Sequence, residues 1–140
     1  MKEHITSDVF GRFNALCEEG RSVCLSILIP TDARAPTPKR DALVFKNALR
    51  TAAHRLIVAG LAPREADAFL APLHELAHSG QLWVERGAGL AVFSSGLPES
   101  TVFFHLSFAV PEVVIAGKRF YYKPLLAALH SVPRFFVLAL

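Results

Sequence analysis

The sequence predicts an α/β fold: a single domain with a mixed β-sheet of about five strands flanked by helices. Two observations carry this. Segments of helical period and short β-branched runs alternate along the 140 residues, with no repeat, low-complexity tract or linker between them. Hydrophobic residues make up 52% of the chain and charged residues only 19%, which excludes intrinsic disorder and leaves a surplus that must be buried.

In chain order, residues 7–19 read as a helix. Val9, Phe10, Phe13, Leu16 and Cys17 recur at its spacing, Thr6 or Ser7 caps it and Gly20 ends it. Residues 22–29 read as a strand buried on both faces, with Val23, Leu25, Ile27 and Ile29 on one side and Cys24, Ser26 and Leu28 on the other. Pro30 stops it, because proline cannot donate to a ladder. A polar loop over 31–40 holds Pro36 and Pro38. A helix over 41–58 follows, its stripe Phe45, Leu49, Ala52, Ala53 and Leu56, closed by Gly60.

Pro63 suits the first turn of another helix, whose stripe is Ala66, Phe69, Leu70, Leu73 and Leu76. Pro72 inside it predicts a kink or a second start. Gly87-Ala88-Gly89 turns the chain into a strand over 90–94, and residues 95–100 connect it to a strand over 101–108. Residues 112–116 are extended, Pro124 opens a short helix to about His130, and residues 134–140 form a last strand. Trp83 reads as a core or rim anchor.

The formal charge is +3, and its distribution says more than its size. Arg34, Lys39, Arg40, Lys46, Arg50 and Arg55 face only Asp41 between 34 and 55, so that segment carries +5. Within the 41–58 helix, Lys46, Arg50 and His54 follow one another a turn apart opposite the apolar stripe, with Asn47 and Arg55 beside them. Such groups neutralise phosphates without reading sequence; an ordinary solvated helix face has the same composition. The candidate phosphate- or RNA-binding residues are therefore Arg34, Lys39, Arg40, Lys46, Asn47, Arg50, His54 and Arg55.

His74-Glu75-Leu76-Ala77-His78 matches the H-E-x-x-H of zinc hydrolases. Histidines at i and i+4 share a helix face and can grip one zinc, and the glutamate can act as base for the metal-bound water. The chemistry needs a third ligand. Position 81 is Gln81 rather than the metzincin glycine, and Glu99 lies in a turn. The metallohydrolase reading through His74 and His78 stands beside a plainer one, in which both histidines border a packed stripe. No phosphate loop, nucleophile elbow or other cofactor motif is present in the sequence, so no cofactor is expected. Cys17 and Cys24, the only cysteines, read as buried thiols of a reducing cytosol.

No run approaches the ~18–20 apolar residues that cross a bilayer, so no membrane partner is expected. The first eight residues have no apolar h-region, which predicts no signal peptide and a cytoplasmic location. The chain stops inside Phe135-Phe136-Val137-Leu138-Ala139-Leu140; so apolar an ending predicts one domain cut from a longer multidomain protein.

Several segments together resemble a known family. They are Val23-Cys24-Leu25-Ser26-Ile27-Leu28-Ile29-Pro30-Thr31, Phe45-Lys46-Asn47-Ala48-Leu49, Leu70-Ala71-Pro72-Leu73, Trp83, Gly89-Leu90-Ala91-Val92-Phe93, Phe120-Tyr121-Tyr122-Lys123-Pro124-Leu125-Leu126 and Phe136-Val137-Leu138-Ala139-Leu140. Their order and spacing resemble the N-terminal domain of the bacterial archaeo-eukaryotic release factor-like (baeRF) proteins, over about residues 21–140. The resemblance implies a three-domain parent and a ribosomal partner, in termination, rescue or stalling.

In archaeal and eukaryotic release factors this domain reads stop codons through an Asn-Ile-Lys-Ser loop. The nearest segment here, Val44-Phe45-Lys46-Asn47, shares only the lysine, so the resemblance does not extend to decoding. The peptide-releasing Gly-Gly-Gln belongs to the middle domain of those factors, and no Gly-Gly pair occurs in this sequence. The expected function is thus a non-catalytic domain associated with the ribosome or ribosomal RNA. The expected partners also include the missing C-terminal domains and a second copy in a homo-oligomer. The alternatives are the zinc metallohydrolase and a protein–protein or interdomain module.

Overall fold

The computed structural model describes residues 23–84, 86–97, 100–123 and 137–139. Strand β1 (Cys24–Pro30) is followed by helices α1 (Lys39–Val58) and α2 (Pro63–Ser79) and a 3₁₀ turn (Gln81–Trp83). Strands β2 (Gly89–Ser94), β3 (Thr101–Leu106), β4 (Val113–Gly117) and β5 (Val137–Ala139) complete the order. The helix expected over 7–19, Cys17, Glu99, the short helix after Pro124, and residues 134–136 and 140 of the last strand lie outside the described residues.

The α/β class holds, and the strands form one sheet in the order β4-β1-β2-β3-β5. The sheet is not mixed, however: all four described pairings are antiparallel. One crossover helix between two strands returns the chain parallel to its start. Here two helices joined by residues 59–62 lie between β1 and β2, and the chain re-enters the sheet from the opposite end. Hairpin β2–β3 matches the sequence expectation, with Ser94 opposite Thr101 and Leu90 opposite His105.

β1 is buried on both faces because its neighbours β2 and β4 cover its edges and both faces are packed. On one face Leu25, Ile27 and Ile29 join Leu90 and Val92 beneath Phe45, Ala48, Leu49, Ala52 and Leu56 of α1 and Ala66, Phe69, Leu70 and Leu73 of α2. Both described helices therefore share a single face. On the other face Cys24, Leu28, Ala91, Phe93, Phe104 and Leu106 are covered by Val110, Phe120 and neighbouring aromatics of the 108–122 stretch. Phe93 meets Phe120 edge to face at 5.6 Å. The Ser26 hydroxyl, fully buried in this layer, accepts the Tyr121 N–H at 2.7 Å, which satisfies a polar group that would otherwise be costly there.

α1 begins two residues earlier than expected, at Lys39. α2 starts on Pro63, as expected, and the Glu65 carboxylate accepts the Ala62 N–H at 2.8 Å. It runs unbroken through Pro72 to a left-handed Gly80. No second helix start occurs there, and Phe69, Leu70 and Leu73 on either side of Pro72 are all anchored in the core. Trp83 stands against Phe45, ring centroids 6.2 Å apart and nearly perpendicular, as a rim anchor of that core.

Cys24 corrects the expectation of a reduced thiol: it is fully buried and disulfide-bonded, with its sulfur 3.4 Å from the Lys118 carbonyl oxygen. A disulfide fits an oxidising environment better than the cytosol. Chain denatured without reductant is expected to take up no alkylating reagent, and chain reduced first to take it up at both cysteines, read by intact mass. Alkylation of unreduced chain quenched at lysis would show instead that the thiols are free in the cell. Among the described residues, no helix is long and apolar enough to cross a membrane.

Candidate nucleic-acid interface

The eight candidate residues Arg34, Lys39, Arg40, Lys46, Asn47, Arg50, His54 and Arg55 are all exposed. Seven of them stand on α1, and the reason is local. The helix must turn Phe45, Ala48, Leu49, Ala52 and Leu56 into the core, so the positions between them face outward. At 100° per residue, Lys39, Lys46 and Arg50 fall within an arc of about 40°. His54, Asn47 and Arg40 stand about 60–100° to one side of that row, and Arg55 lies about 160° from Lys39 on that same side. At about 1.5 Å per residue the row from Lys39 to Arg50 is about 16 Å long.

Asp41 is the only acidic residue of α1 and the only one that opposes the basic segment between 34 and 55. It is buried, 4% exposed, and its carboxylate is occupied on the inner side. Oδ1 and Oδ2 both accept the Asp32 N–H, at 3.2 and 3.1 Å, and Oδ2 lies 3.7 Å from the Arg86 guanidinium. The outer face of α1 therefore carries cations with no anion among them. Asp32, at the near end of the loop, is exposed and accepts the Arg34 N–H at 3.0 Å, so Arg34 has a carboxylate beside it that the helix cations lack.

Arg86 is the residue that sequence reasoning missed. It sits 45 positions from Asp41, just ahead of the Gly87-Ala88-Gly89 turn, and no local pattern joins the two. Its guanidinium donates to the carbonyl oxygens of Asp32 (3.2 Å), Thr37 (3.3 Å) and Ala35 (2.8 Å). Beside it, the Thr31 hydroxyl donates to the Gly87 carbonyl at 2.7 Å, and the Thr31 N–H donates to Ala88 O at 3.1 Å. The only sequence signal for this network was an aspartate in a helix first turn, a position that suits an anion in any case.

The segment nearest the stop-codon loop of release factors, Val44–Asn47, is a turn inside α1 and not a loop, and its Phe45 is fully buried. His74, Glu75 and His78 are exposed on α2. His78 Nδ1 is 2.7 Å from the His74 carbonyl oxygen, which engages that ring nitrogen within the helix. Among the described residues no three His, Cys, Asp or Glu side chains converge on a metal position; Glu99 lies outside them. His105 lies on β3, fully buried and edge to face with Phe103 at 5.8 Å.

A shallow depression of about 360 Å³ lies between Val23, Leu61, Glu65, Ala68, Phe69, Ser95 and Gly96. None of the eight candidates lines it, and its one carboxylate, Glu65, already holds the α2 N-terminus. No protein-family model and no curated protein matches the chain.

Proposed function

We propose that the chain is a non-catalytic, RNA-associated domain of a larger release-factor-like protein, and that the outer face of α1 lies against the phosphate backbone of ribosomal RNA. One observation carries the reading: the cations of α1 face outward together while its only carboxylate is turned inward onto Arg86 and the loop. Phosphate binding draws its free energy from releasing condensed counterions, so it needs several unopposed cations on one face and no deep pocket. In this reading the protein is cytoplasmic, although the Cys24 disulfide argues for an oxidising environment, and the missing domains would supply any peptide-release chemistry.

Filter binding of ribosomal RNA at 50 and 200 mM salt tests it. With about five phosphates neutralised, affinity is expected to fall on the order of a hundredfold across that range. The double charge reversal Lys46→Glu/Arg50→Glu should weaken binding more than tenfold at the lower salt, by roughly two lost phosphate contacts and two added repulsions. Affinity indifferent to salt, or equal in the reversed variant, would refute the phosphate contact.

A protein–protein or interdomain surface is the second reading. It is favoured by Leu43 (57% exposed) and Val58 (71%), two large apolar side chains among the α1 cations. An apolar contact is not weakened by added salt, so the same salt series separates the two readings.

A further inference from the structure

Residues 32–35 form a turn closed by the Ala35 N–H on the Asp32 carbonyl at 3.3 Å, and Arg34 stands within it. The carbonyls at both ends of that turn accept from Arg86, Asp32 O at 3.2 Å and Ala35 O at 2.8 Å, and Thr37 O adds a third bond at 3.3 Å. The loop is tied a second time where Asp41 accepts the Asp32 N–H. Arg86 itself is largely shielded, with its side chain 13% exposed, so it contributes little direct contact with a ligand. Pro36 and Pro38 disfavour the helical region for the preceding Ala35 and Thr37, which narrows the conformations open to the loop.

We propose that Arg86 and Asp41 are positioning residues for RNA binding. They clamp the 31–38 loop so that Arg34 is presented as a fixed phosphate contact on the loop that leads into α1. The inference rests on the RNA reading above. A five-donor guanidinium suits the task because it can span three carbonyls in one plane, which an ammonium group cannot do. The gain comes from preorganisation: an arginine on a fixed turn loses less freedom on binding than one on a mobile loop.

The test is a double-mutant cycle on the intact chain with ribosomal RNA by filter binding, using Arg34→Ala, Arg86→Lys and their combination. Arg34→Ala is expected to reduce the salt slope by about 1. Arg86→Lys, which keeps the charge, is expected to reduce it by the same amount, and the double variant should bind no more weakly than Arg86→Lys alone. A purely structural Arg86 would lower the urea midpoint and leave the effect of Arg34→Ala intact; multiplying losses, or wild-type slope in Arg86→Lys, overturn the clamp. If Arg86→Lys does not fold, Asp41→Asn takes its place, since its carboxamide oxygen still accepts the Asp32 N–H while the charge facing Arg86 is gone. Wild-type chain that binds no RNA overturns the clamp and the RNA reading together, whereas salt-sensitive wild-type binding with an additive cycle overturns the clamp alone.

Discussion

Gly87→Ala is expected to be among the most damaging single-atom additions to this fold, lowering stability by about 3 kcal/mol or more. A β-carbon at Gly87 would stand 2.2 Å from the Leu106 carbonyl oxygen and 3.0 Å from its carbon. Both are backbone atoms, and that oxygen is also the acceptor of the Ala88 N–H at 2.8 Å. Neither side can yield cheaply. Moving β3 breaks its ladder with β2; moving residue 87 pulls its carbonyl from Thr31 and shifts Arg86 away from the loop it holds. The objection is steric, since Gly87 is not among the glycines of positive φ. Urea denaturation checks it, with Gly117→Ala as the control: nothing lies within 4 Å of a β-carbon there, and the expected change is within about 0.5 kcal/mol. Equal midpoints for the two variants would show that the strand entry re-aims at little cost. The Gly-x-Gly segment is thus explained by the close approach of chain to chain, as its place before a strand suggested.

Phe45→Ala should cost about 3–5 kcal/mol, the range for removing a buried phenylalanine and leaving a cavity. Phe45 is fully buried beneath α1, against Trp83 and above the β1 face that carries Leu25, Ile27 and Ile29. It is the first large anchor of the helix that carries seven of the candidate residues, so its loss should loosen the face as well as the core. Denaturant unfolding gives the stability change, and hydrogen exchange gives its location. Protection is expected to fall first in the α1 turns around residue 45 and last in the central ladder between β1 and β2. A loss below about 1 kcal/mol would mean that Trp83 and Val44 collapse into the space.

The two-faced burial of β1 was legible because seven apolar or small residues in a row leave no solvent side. The stripes of α1 and α2 were legible because their apolar spacing has one period. The same spacing places Lys46, Arg50 and His54 outward. The continuation of α2 through Pro72 without a second start was not legible, because local propensity weighs one lost hydrogen bond, whereas Phe69, Leu70 and Leu73 are buried on either side of it. The H-E-x-x-H spacing was correct as a pattern, but whether two histidines become a metal site depends on a third side chain arriving from elsewhere.

The sequence by itself determined which residues form strands and helices, and which side of each is apolar. These are properties of neighbours along the chain, governed by periods of two and 3.6 residues. Only the tertiary structure decided that the sheet is antiparallel, that both described helices share one face, and that Asp41 turns inward to Arg86. Each of those depends on where distant segments meet. Partners such as the Asp41–Arg86 ion pair, 45 positions apart, and the Thr31–Gly87 hydrogen bond, 56 apart, leave no periodic trace, and their pairing is chosen by whichever arrangement buries the most apolar surface with every polar group satisfied.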